Sequence, residues 1–140
     1  MKGLARGSVL ALAIALGGCG GDDGAGTGTA PAADAGPAAE LTIVVTSDAG
    51  RQETTLECDP DGGTHPNPEE ACRALAANVG ALEPVPPDVA CTQEYGGPER
   101  ARIRGTLSGR EIDAKLNRSN GCEISRWDHL ERVLDLREGG

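Results

Sequence analysis

The chain has 140 residues, with 22 acidic against 13 basic side chains and a formal net charge of −9. That balance excludes nucleic acid and anionic lipid surfaces as electrostatic partners. Tyr95 and Trp127 are its only aromatic residues and it has no phenylalanine, so one small domain must be built on a thin aliphatic core, a situation that calls for covalent reinforcement.

Residues 1–18 read as a signal peptide. Lys2 and Arg6 precede an apolar run from Ser8 to Leu16 that is too short to span a bilayer. The run ends in Leu16-Gly17-Gly18-Cys19, the pattern of a lipobox, and this predicts a lipidated Cys19 that anchors an extracellular domain to the cell membrane. Residues 19–40 are rich in Gly, Ala, Pro and Asp, cannot bury a core, and read as a disordered tether. The folded domain is expected over residues 41–140.

Leu41 to Ser47 is rich in β-branched residues and predicts a strand. Asp48-Ala49-Gly50-Arg51 turns the chain into a second strand, Gln52 to Cys58, with Leu56 and Cys58 on one face. A Gly- and Pro-rich loop follows. Asn67 then suits a helix N-cap, Pro68 the first helical position, and Glu70 completes a capping-box spacing. Glu69 and Glu70 are therefore read as helix-start groups and not as a catalytic acid pair. Cys72, Leu75, Ala76 and Val79 recur at helical spacing, and Gly80 is expected to end the helix. The Pro-rich stretch from Glu83 to Asp88 predicts a stiff, extended connection.

After it comes a polar run, Cys91-Thr92-Gln93-Glu94-Tyr95-Gly96-Gly97-Pro98, with no periodicity of its own. From Ala101 the alternation is strict. Ala101, Ile103, Gly105 and Leu107, then Ile112, Ala114 and Leu116, line one face of a hairpin turning at Ser108-Gly109. That register puts Arg104 opposite Asp113 and Arg102 opposite Lys115, and the arginine row is read as a solvated outer face. Asn120-Gly121 marks a turn, and Ser125 with Asp128 has capping-box spacing. Ile124, Trp127, Leu130 and Leu134 share a helical face, while Arg132 to Leu136 fits a helix end or a last strand equally well.

Besides Cys19, the cysteines are Cys58, Cys72, Cys91 and Cys122. In an exported chain these are disulfide candidates, and four cysteines allow three pairings. Zinc is disfavoured, because no Cys-x-x-Cys pair is present and His65 and His129 are not at ligand spacing. No nucleophile–base motif, phosphate loop or cofactor fingerprint occurs, so the residues give no support for an enzyme.

The segments Cys58 to Cys72, Cys91 to Pro98, Gly105 to Asp113 and Ser119 to Glu123 together resemble the Streptomyces-type subtilisin inhibitors. The resemblance runs from about Leu41 to Trp127. It implies an α+β fold, a five-stranded antiparallel sheet packed with two helices and held by two disulfides, Cys58–Cys72 and Cys91–Cys122. It further implies a substrate-like inhibitor of subtilisin-type serine proteases, with no cofactor or metal and with a possible homodimer. The scissile bond would be Gln93-Glu94, flanked by Cys91, Thr92 and Tyr95 and braced by Asn120. The chain departs from the family pattern at Thr92, where Pro is frequent, at Gln93, where Met or Lys is common, and at Glu94. The alternative is an envelope-binding lipoprotein that keeps the fold without inhibiting.

Overall fold

The structure, a computed structural model, describes residues 36–137, so the signal, Cys19 and most of the tether lie outside the described residues. The chain runs through β1 (Ala39–Ser47), β2 (Gly50–Cys58), β3 (Gly62–Gly63), α1 (Pro68–Ala77), a 3-10 turn (Val79–Leu82), β4 (Arg100–Leu107), β5 (Arg110–Asn117), α2 (Gly121–His129) and α3 (Glu131–Leu134). The strands form one antiparallel sheet in the order β3-β2-β1-β4-β5. The helices cover one face, where Ile43, Leu56, Leu75, Ile103, Leu130 and Val133 are fully buried. No helix among the described residues is long and apolar enough to cross a membrane.

The period-two pattern accounts for the sheet. Ala101, Ile103, Leu107, Ala114 and Leu116 all point into the core, and the β4–β5 hairpin turns at Ser108-Gly109 with both residues at positive φ. Gly105 falls on the inward row, but a Cβ there would overlap the Glu40 carbonyl oxygen of β1, so only glycine permits the close strand approach. Arg104 and Asp113 are opposite one another and Arg102 faces Lys115, as expected. The ion pair is diagonal, however: the Arg102 guanidinium donates to both Asp113 oxygens at 2.6 and 2.7 Å, which draws it away from Lys115. Arg100, Arg102 and Arg104 are exposed.

Several local expectations are corrected. Ala39 and Glu40, assigned to the tether, belong to β1 and pair with β2 and β4. The fifth strand is the Gly62–Gly63 pair, which carries no propensity signal. α1 starts at Pro68, but Asn67 makes no side-chain cap: its backbone N–H donates to His65 Nδ1 at 3.0 Å, which leaves nothing for Glu70 to accept in a capping box. Glu70 instead pairs with Arg132 at 3.3 Å. The helix stops at Ala77, because the Asn78 side chain donates to the Ala74 carbonyl, and Gly80 sits inside the 3-10 turn. Ala71 takes the buried place expected for Ala76, which is exposed. Ser125 lies within α2 and caps nothing, and Arg132 to Leu134 are helical, giving a third short helix.

Two side-chain knots hold the β3–α1 connection. The Thr64 hydroxyl contacts the Thr54 hydroxyl at 2.9 Å and accepts from the Thr55 N–H at 2.9 Å. His65 is buried; Nδ1 accepts from Asn67, so Nε2 carries the proton and donates to the Val133 carbonyl of α3 at 3.2 Å. The Cys58–Cys72 disulfide joins β2 to α1 on the same side.

Candidate functional site

The polar run that lacks periodicity forms a loop across the start of α2. Thr92, Gln93, Glu94 and Tyr95 are exposed in sequence. Among the described residues, the large hydrophobic side chains left exposed are Val89, at 47 %, and Tyr95, at 69 %. Both flank the Gln93-Glu94 bond.

Three attachments fix this loop. The Cys91–Cys122 disulfide binds its upstream end to α2, with the two Cα atoms 5.4 Å apart. The Gly121 N–H donates to the Thr92 carbonyl at 3.1 Å. The Gly96 N–H donates to the Arg118 carbonyl at 2.7 Å. Between the last two anchors, Gln93, Glu94 and Tyr95 make no hydrogen bond to the described residues. Their backbone groups remain open to pair with a second chain in the manner of an added strand.

Two glycines make the attachments possible. A Cβ on Gly121 would overlap Thr92 Oγ1, so the first residue of α2 must be bare for the loop to sit there. A Cβ on Gly96 would lie 2.9 Å from Ile124 Cγ1 and 3.1 Å from Arg118 Cβ, so this residue too is sealed against the body of the domain. Past Gly96 the chain turns through Gly97, at φ 140, and enters β4. Glu99 and Arg118 pair at 3.4 Å beneath that turn.

Asn120 acts at the start of α2. Its Oδ1 accepts from the Glu123 N–H at 3.0 Å and caps α2. The hydrogen bonds that reach the loop come from the backbone on either side of it, at Arg118 and Gly121. Asn120 thus fixes the start of the helix on which the loop rests, and the Asn120-Gly121 pair is a helix start, not a free turn. The sequence places Gly121 in a turn and Ile124 on a helical face, but it assigns neither these nor Arg118 and Gly96 to holding the loop. The one available signal was the bare Gly121 directly before Cys122, a poor residue for a helix unless something must approach it closely.

The arrangement does not resemble a metal or acid–base centre. Among the described residues, the Cys, His, Asp and Glu grouping that comes closest to a metal site is Cys58, Asp61 and Cys72, whose sulfurs are bonded to each other. The carboxyls held below their usual range are Asp113, through the hydrogen bond from Arg102, and Asp135, through that from Arg137. Both are ion pairs on the surface, on β5 and after α3. What the loop offers is a peptide bond in irregular chain, exposed at its centre and tied on both sides.

Comparison with known proteins identifies the family. The subtilisin inhibitor-like family model matches residues 35–120. Subtilisin inhibitor-like protein 1 of Streptomyces cacaoi is 39 % identical over 81 residues, covering 54 % of this chain and 73 % of that protein. The subtilase-type protease inhibitor of Streptomyces fradiae is 33 % identical over 128 residues, covering 83 % of this chain and 84 % of its own. Among solved structures, Streptomyces caespitosus sermetstatin, crystallised in complex with Bacillus licheniformis subtilisin, aligns at 28 % identity with a TM-score of 0.47, over 73 % of this chain and 100 % of that one. With a sequence match across most of the folded part, this chain belongs to the subtilisin inhibitor-like family.

Proposed function

We propose that the domain inhibits serine proteases of the subtilisin type by offering Gln93-Glu94 as a bond that is bound well and released slowly. The supporting observation is that this bond lies in an exposed stretch whose two sides are separately tied down, at Cys91–Thr92 and at Gly96. A loop already tied at both ends loses little ordering entropy when a protease takes it. After cleavage the new ends would stay in place, Thr92 through Gly121 and the disulfide, and Gly96 through Arg118. Re-formation of the bond then competes with loss of product. The protein contributes no catalytic group of its own; it is a ligand for an enzyme. Gln93 is long and uncharged, which suits a broad subtilisin pocket better than a trypsin-type pocket with a buried carboxylate.

Titration of residues 36–137 against subtilisin and trypsin tests this. Tight inhibition of subtilisin with slow cleavage at Gln93-Glu94, and weak action on trypsin, is the expected result. No inhibition of subtilisin at micromolar protein, or fast and complete loop cleavage, would contradict it. We also propose that Cys19 is lipidated and that the stretch after it tethers the inhibitor to the outer side of the membrane, on the strength of the Leu16-Gly17-Gly18-Cys19 pattern after an apolar run. Mass spectrometry of the mature N-terminus checks it: an unmodified Cys19, or cleavage elsewhere, would refute the anchor.

A further inference from the structure

The chain leading into the loop has few supports of its own. Residues 84–90 contain three prolines, Pro84, Pro86 and Pro87, and their one backbone hydrogen bond to the described residues runs within the stretch, from the Val89 N–H to the Pro86 carbonyl at 3.1 Å. The stretch is therefore not extended throughout, as the sequence suggested, but turns at Pro87-Asp88; proline fixes φ, so the path of this strut depends on where its two ends are held. The downstream end is held at Cys91 and Thr92 by α2. The upstream end is the 3-10 turn, Val79–Leu82, where Leu82 is buried in the core and one α2 side chain grips the backbone.

That side chain is Arg126. Only 11 % of it is exposed. Its Nε donates to the Ala81 carbonyl at 3.0 Å and its Nη2 to the Leu82 carbonyl at 3.4 Å, with only Glu83 between them and the strut. Its Nη1 donates to Glu123 on α2 at 2.8 Å and to the Lys115 carbonyl on β5 at 3.3 Å. The planar guanidinium with its fork of donors suits this multiple grip, where an ammonium would reach fewer partners. Resting on the reading of the loop given above, we propose that Arg126 is a positioning residue for inhibition: it sets the origin of the 84–90 strut, and through it the path of Val89 to Thr92 that the protease meets. Gly121 and Cys122 grip the loop from one turn of α2, and Arg126 grips the chain upstream of it from the next turn.

The test compares Arg126→Met, Arg126→Lys and the double variant Pro84→Ala/Pro87→Ala. The last changes two exposed residues and leaves the Arg126 contacts intact. Amide exchange over residues 88–96 is measured without protease, together with the inhibition constant for subtilisin. Arg126→Met is expected to speed exchange there and to weaken inhibition by about tenfold, the cost of re-ordering a freed segment on binding. Arg126→Lys is expected to recover part of both, and the proline variant to loosen the loop with a far smaller change in Tm. If Arg126→Met lowers Tm while its folded molecules keep wild-type exchange and inhibition, Arg126 is merely structural and the proposal is wrong. If Arg126→Met does not fold, the proline variant decides alone, and unchanged exchange and inhibition there overturn the strut. A wild-type domain that fails to inhibit subtilisin would count against the proposed function, whereas the exchange rates report on the grip by themselves.

Discussion

Replacing Gly121 with alanine isolates the role of the loop from the stability of the fold. Gly121 opens α2 and is not at positive φ, so alanine suits the backbone there and favours the helix by up to about 1 kcal/mol. Its methyl group, however, would overlap Thr92 Oγ1 and lie 3.3 Å from Thr92 Cβ. The loop must lift, which strains or breaks the Gly121 N–H bond to the Thr92 carbonyl, at about 1 kcal/mol, and adds an overpacking cost of about 1–3 kcal/mol. Most of that cost falls on the loop, so Tm should move by only a few degrees while inhibition of subtilisin weakens by roughly tenfold. Thr92→Ala removes the hydroxyl that the new methyl meets. The double variant Gly121→Ala/Thr92→Ala should therefore inhibit better than Gly121→Ala alone, with a coupling of about 1 kcal/mol in a double-mutant cycle. Inhibition constants for the four proteins decide the matter. A Gly121→Ala protein that inhibits like wild type, or a double variant no better than the single, would show that contact between α2 and Thr92 does not set the loop.

The two disulfides should separate by function. Cys91→Ala/Cys122→Ala should turn the inhibitor into a readily cut substrate, whereas Cys58→Ala/Cys72→Ala should lower stability by about 3 kcal/mol in the chain-entropy account and leave inhibition by the folded fraction intact; cleavage time courses and urea melts distinguish them. His65→Ala removes the bonds to Asn67 and Val133 and leaves a buried gap, so urea melts should show a loss of about 2–4 kcal/mol with inhibition by the folded protein unchanged. Asp113 is held below the ordinary carboxyl value of 3.8 by the Arg102 hydrogen bond, so its contribution is present above that pH and is lost as pH falls through its lower folded value. Asp113→Asn should flatten the acid side of the stability profile slightly, and added salt should shrink the difference because the pair is exposed.

The parts of the fold that were legible in sequence are those in which side chains report their own environment. Inward Ile103, Leu107, Ala114 and Leu116 alternate with charged residues, and that alternation gave the hairpin and its register. The β3 pair could not be seen, because Gly62 and Gly63 join the sheet through backbone alone. The capping box at Asn67 misled because His65, two positions earlier, had already taken the N–H that Glu70 would accept from. Asn120-Gly121 misled because the same dipeptide serves a turn or a helix start, and only the Glu123 N–H on Asn120 Oδ1 tells them apart. The loop itself was legible through the resemblance carried by Cys91 to Tyr95 and by Cys122. Its supports at Arg118 and Gly121 were not, because main-chain hydrogen bonds leave no mark on residue type. Arg126 was hidden for a related reason: its four partners are three carbonyls and a helix mate, and an arginine in an acidic chain reads by default as surface.

The account turns on whether the cut loop stays assembled. The most direct measurement starts from domain already cleaved at Gln93-Glu94, adds a catalytic amount of subtilisin, and follows the intact mass by mass spectrometry. The account predicts that intact chain re-forms to the same ratio of cut to uncut that is reached from uncut protein. Cleaved domain that stays cleaved, while uncut domain is steadily consumed, would contradict it.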